Sequence, residues 1–445
     1  MLYGIATATA ALFLAAVLSA LLRVPALRLG LVDRRRMRPV PLLGGVAVVG
    51  STCLIAAAGG WTGAAPLSHP VGRLLAVGAG VAVLGLVADV WRLKTPLLLV
   101  GTAVAAAWVV PYDETGVPAG IAAVLWIACV AAAFRGLDHA DGLAGTVGVI
   151  TAFGAGVCAA AELMDDLAVL LSVLAAALTG FLMHNWHPAR IAFGACGSLF
   201  TGFVLASSAV LVRTEYDAGP TAAVLFPLTA TAVADAVLVV LSRRLAGRPV
   251  LRRGPDHLAH RLRRLGLTPP GATVLIGVCA FATVLVGVLV HLDCLAPVSG
   301  LWTAGAVSAA VLGLLCVRVY GPRRPTGTHA TTATGTRTSA AIGTRASAAD
   351  AYGTRTRAGG RGAAGVLGTP RSPGGVRDAR ASSVREARAP GRDPRTPPSP
   401  RASRTRRPYD LQDPADAGRS SGYPVPPPQQ TASSQVRESL RVRDG

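Results

Sequence analysis

Five aspartates and five histidines fall in short polar stretches between long apolar runs: Asp33, Asp89, Asp138, Asp141 and Asp256, with His139, His184, His187, His257 and His260. Many arginines accompany them. That mixture suits an anionic, phosphate-bearing substrate, because guanidinium groups bind phosphate in bidentate fashion and carboxylates hold magnesium that bridges phosphate oxygens. Asp138 and Asp141 lie three apart in F-R-G-L-D-H-A-D-G-L-A-G, residues 134–145. They face one site if a helical turn begins there; the competing use is capping by Asp141 of the helix that follows. Asp89 ends an apolar run, where an interfacial acid is usually functional; the competing use is an ion pair with Arg92 or Lys94. His257 and His260 share one face of a helical turn and can donate to phosphate. Zinc is disfavoured, since no third ligand accompanies the two in the sequence, and a basic amphipathic helix at lipid headgroups is the bland alternative.

The elements that position these groups are membrane helices. A span needs about 20 apolar residues, and eleven runs qualify or nearly so: 3–22, 42–59, 72–88, 97–110, 117–134, 143–161, 166–183, 198–212, 222–241, 272–291 and 299–317. The fourth and eighth are short. The loops after the first, third, fifth, seventh and ninth runs carry Arg23, Arg28, Arg34, Arg35, Arg36 and Arg38, then Arg92 and Lys94, Arg135, Arg190, and Arg243 to Arg264. The intervening loops hold acids such as Asp113, Glu114, Glu162, Asp165, Asp166, Glu215, Asp217 and Asp293. Arginine and lysine gather on the cytoplasmic side, so the expected layout is N-terminus outside, C-terminus inside, in the plasma membrane. The fold class is an all-α polytopic bundle of about eleven transmembrane helices.

Composition divides the chain at about residue 320. Residues 1–320 hold 21 basic side chains against 14 acids, and 321–445 hold 22 against 9. The whole has 51% apolar residues and 15% charged ones, well below the roughly 25% charge of soluble domains, which excludes a soluble enzyme. The second part has too few long apolar side chains to fold alone and reads as a disordered Arg/Pro/Ser/Thr-rich cytoplasmic tail. Attraction to anionic headgroups, beginning at Arg318, Arg323 and Arg324, is one role for it; simple solvation is the other, and nucleic-acid binding ranks below both. Seven scattered cysteines without a Cys-x-x-Cys pair indicate neither a zinc scaffold nor disulfides.

The order of the segments is more specific than their composition. D-R-R-R-M-R-P-V-P-L-L-G-G (33–45), G-L-V-A-D-V (85–90), the 134–145 stretch, N-W-H-P-A-R-I-A-F-G-A-C-G-S-L-F-T-G-F (185–203) and D-H-L-A-H-R-L-R-R-L-G-L (256–267) follow one another on the same expected side. In this the chain resembles the polyprenyl-phosphate N-acetylhexosamine-1-phosphate transferases of glycosyltransferase family 4, over about residues 20–270. The resemblance implies transfer of a sugar-1-phosphate from a UDP-sugar to a polyprenyl phosphate, with magnesium, in cell-wall or surface-polysaccharide synthesis. It implies catalytic roles for Asp89, Asp138 and Asp141, with Asp138 and Asp141 on the metal. It implies substrate contacts for His257, His260, Arg261, Arg135, Asn185, Gly194 and Ser198, and a structural role for Asp235, orienting Arg243, Arg244 or another helix. A homodimer is compatible with it.

Several family positions differ. Ala88 replaces the first of two aspartates, Arg135 an asparagine, His139 a glycine, Ala195 the magnesium-binding aspartate and Ala259 a histidine. Two outcomes follow: a transferase whose metal rests on the remaining aspartates and substrate oxygens, or a catalytically silent relative kept for scaffolding or regulation. A transporter is a third and weaker reading, since its polar groups would sit at mid-membrane on broken helices.

Overall fold

The computed structural model describes residues 2–33, 39–63, 67–91, 93–249, 254–317 and 319. Expectations that rest on Arg34, Arg35, Arg36, Arg38, Arg92, Arg252, Arg253, Arg318 and the tail from residue 320 fall outside the described residues.

Each of the eleven expected apolar runs is a helix. They are α1 (Leu2–Arg28), α2 (Gly44–Trp61), α3 (His69–Trp91), α4 (Thr95–Val109), α6 (Val117–Leu137), α7 (Leu143–Ala161), α8 (Asp165–Asn185), α9 (Gly194–Leu211), α10 (Ala218–Leu245), α12 (Pro269–His291) and α13 (Val298–Leu315). Short helices α5 (Tyr112–Thr115) and α11 (Leu258–Arg264) lie between them. Among the described residues, ten helices are long and apolar enough to cross a membrane, and the protein is a multi-pass membrane protein. The exception is α4, whose 15 residues reach only about 22 Å at 1.5 Å per residue. Between α1 and α2 a two-stranded antiparallel ribbon pairs Val32 of β1 (Val32–Asp33) with Pro41 of β2 (Val40–Pro41).

Large apolar side chains cover the outside of the bundle, among them Leu97, Val100, Val104 and Trp108 on α4 and Val278 and Phe281 on α12. Lipid tails accept such a surface and water does not. Because these helices are apolar all round, periodicity cannot say which face turns inward.

The innermost element is α9, all 18 of whose residues are buried. Helices α2, α3, α6 and α7 pack around it, and small residues let their backbones come close. A Cβ on Gly45 would lie 2.2 Å from the Gly197 nitrogen, and one on Gly85 would lie 2.5 Å from the Ala195 carbonyl oxygen. At the opposite end of α9 a polar latch joins α7, α9 and α12. Arg213 donates to His291 Nδ1 (3.2 Å), so the imidazole carries its proton on Nε2, which donates to the Cys158 carbonyl (3.1 Å). Tyr216 lies under the Arg213 guanidinium, 3.5 Å from ring centroid to Cζ, and donates to Glu162 at 2.5 Å. That bond raises the tyrosine pKa.

The glycine contacts are directly testable. Gly45→Ala forces the α2–α9 backbones apart, and overpacking of this kind costs about 1–3 kcal/mol. Thermal melting in detergent should fall accordingly, whereas Gly80→Ala on α3, with open space where the methyl would go, should leave the melting temperature unchanged or slightly raised.

Candidate active site

Helix α8 ends at Asn185, and the next segment, Trp186 to Phe193, contains Pro188, which cannot continue a helical ladder. Asn185 is buried and uses both ends of its amide: Oδ1 accepts from Gly142 N at 3.0 Å and Nδ2 donates to Ile191 O at 2.8 Å. The start of α7 and the Trp186–Phe193 segment are thereby joined. On the other side, Ala192 N donates to Pro41 O (2.7 Å), and Gly44 N and Gly45 N donate to Ala192 O and Phe193 O. The close approach of Gly44 and Gly45 is what lets this second seam form.

Helix α9 therefore starts at a fixed point. Gly194 has φ of +74°, a conformation in which a side chain is strained, and a Cβ there would also stand 2.6 Å from Asp89 Oδ2. The first amides of a helix have no acceptor within the helix. Here two carboxylates supply one: Asp138, just past α6, accepts from Gly194 N at 2.9 Å, and Asp89, near the end of α3, accepts from Cys196 N at 3.1 Å. Each charge-assisted bond contributes about 1.5–3 kcal/mol, and the negative charges face the positive end of the helix. Both aspartates stay half-buried rather than sealed. Between the two amides sits Ala195, 3% exposed; Ala88 beside Asp89 is 5% exposed.

Asp141 behaves differently. It does not cap α7, whose N-cap is Gly142 at φ +73° with no side-chain bond. Its Oδ2 accepts from His187 Nδ1 (3.0 Å) and Ala189 N (3.1 Å), and its backbone carbonyl accepts from Thr273 of α12 (3.2 Å). In the hydrogen bonds at the start of α9 it is Asp89 that joins Asp138, while Asp141 holds the Trp186–Phe193 segment.

Imidazoles form the second part of the site. His257, at the N-cap of α11, donates from Nδ1 to Asp235 Oδ2 at 2.8 Å, and Leu258 N donates to Asp235 Oδ1 at 2.8 Å. The His139 ring stacks on His257 with centroids 4.2 Å apart and planes within 19°, and His260 lies 5.1 Å from His139. Through His139, the Asp138 loop and α11 share one end of the bundle. Burial, reinforced by His257, pushes the His139 imidazole down to about 3; burial, and then His257, also lowers His260. These two rings are uncharged at neutral pH, so they act through N–H donors and nitrogen lone pairs. Beside them an opening of about 430 Å³ is lined by Pro255, His260, Arg263, Arg264, Leu267 and Pro269.

Of the partners expected for Asp235, the fold supplies another helix, the start of α11, through His257 and Leu258; Arg243 pairs instead at 2.8 Å with the fully buried Asp256, which also accepts from Ser242. Arg261 is 2% exposed, and its guanidinium donates to Leu314 O (2.6 Å), Val317 O (2.7 Å), Ser242 Oγ (2.6 Å) and Asp256 O (3.2 Å). It satisfies the last carbonyls of α13, where a cation is favoured, and so ties α11 to that helix. Asn185 is likewise a positioning residue, and Ser198, fully buried, donates to Gly194 O at 2.7 Å. Arg135 is half-buried on the last turn of α6. The sequence offers one signal for His139, a histidine at a family glycine position, and only the fold reveals its neighbours His257 and His260.

A membrane helix bundle that gathers aspartates, imidazoles and arginines at one end, around the start of a buried helix, is the architecture of a membrane-embedded transferase acting on phosphates. The chain belongs to glycosyl transferase family 4, whose pattern matches residues 72–213. It is 66% identical over 327 residues (73% of this chain, 80% of the other) to a Streptomyces coelicolor protein whose name assigns it, provisionally, to the glycosyltransferases. It is 31% identical over 289 residues to the decaprenyl-phosphate N-acetylglucosaminephosphotransferase of Mycobacterium tuberculosis, covering 55% of this chain and 72% of that one. To the phospho-N-acetylmuramoyl-pentapeptide-transferase of Symbiobacterium thermophilum it is 38% identical over 137 residues, 31% of this chain and 39% of the other. The protein is a membrane glycosyl-1-phosphate transferase family member, and the silent-relative reading gains no support from these relatives.

The positioning roles have a measurable signature. Asn185→Ala and Arg261→Ala each leave buried polar groups unpaired, at about 1–3 kcal/mol per group. Both variants should melt earlier in detergent, while the fraction that stays folded should keep the wild-type KM for a nucleotide-sugar donor.

Proposed function

We propose that the chain transfers a sugar-1-phosphate from a UDP-sugar to a polyprenyl phosphate, releasing UMP, at the cytoplasmic face of the plasma membrane. The observation that carries the reading is the convergence of Asp89 and Asp138 on the first amides of α9, beside the imidazoles of His139, His257 and His260. The relatives named for phospho-N-acetylhexosamine transfer to polyprenyl phosphate support the substrate class, and the basic loops on the site's side support its cytoplasmic orientation.

Two anions have to meet in this reaction, so their charge must be offset and their approach aligned. Magnesium usually takes one or two protein carboxylates, with substrate phosphate oxygens completing its shell. Asp89 and Asp138 fit that donor set despite Ala88 and Ala195. They would hold the ion, which supplies neutralisation of the diphosphate and of the developing charge on the departing UMP. The α9 amides fix where those carboxylates stand, and Asp141 fixes the Trp186–Phe193 segment through His187 and Ala189. His260, Arg263 and Arg264, lining the adjacent opening, would receive the donor's phosphates, with arginine contributing charge and imidazole contributing N–H donors. The apolar outer faces leave the isoprenoid chain in lipid, so only its phosphate has to enter. No basic side chain needs to deprotonate the acceptor, because a phosphate oxygen is already an anionic nucleophile.

Purified full-length protein in detergent, given UDP-N-acetylglucosamine, decaprenyl phosphate and magnesium, should release UMP, and chelation should abolish release. Asp138→Asn, which keeps the side-chain size, should lower kcat by at least about 100-fold, at the upper end of the loss from weakening a metal's supporting groups. If correctly folded protein releases no UMP from any common UDP-N-acetylhexosamine, the proposed reaction is wrong.

A further inference from the structure

We infer that His139, His257 and Asp235 form a second metal site, distinct from the Asp89–Asp138 pair and suited to a zinc-class divalent ion. One ligand atom from each of the three lies within 4.8 Å of the others. In the sequence they are 96 and 22 residues apart, so only the fold assembles the set.

The hydrogen bonding of His139 already matches that of a metal-bound imidazole. His139 Nδ1 lies 2.9 Å from the Gly136 carbonyl, which fixes its proton there and leaves the lone pair on Nε2. That nitrogen is shielded from solvent and has no hydrogen-bond partner. A buried polar atom left unpaired is destabilising, and a cation removes that cost. His257 Nδ1 and Asp235 Oδ2 lie 2.8 Å apart and share one proton; a divalent ion displaces that proton and takes both atoms as ligands. Asp235 is 1% exposed inside an apolar helix, where a carboxylate needs compensating charge. The adjacent His260 ring, 5.1 Å from His139 and 6.3 Å from His257, is placed to supply or yield a fourth position. Two imidazoles and one carboxylate favour zinc and similar ions over magnesium, which prefers an all-oxygen shell. A doubly charged ion on this set keeps a net positive charge next to the opening lined by His260, Arg263 and Arg264, so its open position would take a phosphate oxygen. Binding of the ion itself does not depend on the transferase reading.

The test uses tag-free full-length protein in detergent, stripped with chelator and dialysed against zinc or cobalt(II), with metal content and visible absorption as readouts. About one zinc per chain and the absorption of four-coordinate cobalt are expected. His139→Gly, which installs the residue the family resemblance expects there, should weaken zinc binding at least tenfold with unchanged helical circular dichroism. Asp138→Asn should bind zinc as the wild type does. The inference is overturned if the wild type takes up no stoichiometric zinc or cobalt, if His139→Gly binds as tightly as the wild type, or if Asp138→Asn abolishes uptake. Loss of UMP release with zinc binding intact would count against the proposed reaction and not against this site.

Discussion

A helix buried along its whole length must still satisfy the amides of its first turn, and in this protein that requirement organises the functional end of the bundle. Helix α9 is enclosed by its neighbours, so water cannot serve those amides. Asp89 and Asp138 do so instead, and in doing so they tie the ends of α3 and α6 to the start of α9. The same bonds stabilise the fold and set two acids side by side at a polar surface. Structure and chemistry are therefore coupled through two residues, and Ala195 lies between the amides they hold.

Around that point the polar residues divide by burial. Asn185, Ser198, Arg243, Asp256 and Arg261 are sealed and satisfy backbone or one another. Asp89, Asp138, His139, His257 and His260 keep some exposure and face one end of the bundle. The sealed set works like a frame: Arg261 anchors α11 to the end of α13, and Asn185 anchors the segment before α9 to α7. These ties add to the bonds that hold the exposed set itself, those of Asp89 and Asp138 to the α9 amides and of His257 to Asp235. The latch of Arg213, His291, Glu162 and Tyr216 does comparable work at the far end of α9, away from the chemistry.

The close helix contacts have the same logic. Gly45, Gly85 and Gly202 allow α2, α3 and α6 to approach α9 nearer than any side chain would permit. In lipid there is little hydrophobic drive between helices, so dispersion contacts from such close approach carry much of the association. The positions of Asp89 and Asp138 relative to α9 follow from those glycines as much as from the acids themselves.

Much of this was legible in the residues. Apolar runs located the eleven long helices, α4 among them although it is shorter than a span, because the bilayer sets a length that sequence can be measured against, and alternating loop charge grouped Asp89, Asp138 and the site's histidines on one expected side. The order of motifs pointed to the family and to Asp89, Asp138 and the α11 histidines. What the sequence could not decide was which polar groups meet. Arg261 and Asn185 read as ligands for substrate because a donor-rich side chain in a motif looks the same whether it faces solvent or a carbonyl. Asp235 read as a structural residue for Arg243, Arg244 or another helix, and only the fold chooses among them, giving it the start of α11 and giving Arg243 to Asp256. Hydropathy and spacing act locally along the chain, whereas partner choice depends on how helices distant in sequence rotate and cross. In a bundle whose helices are apolar on every face, only close packing sets that rotation.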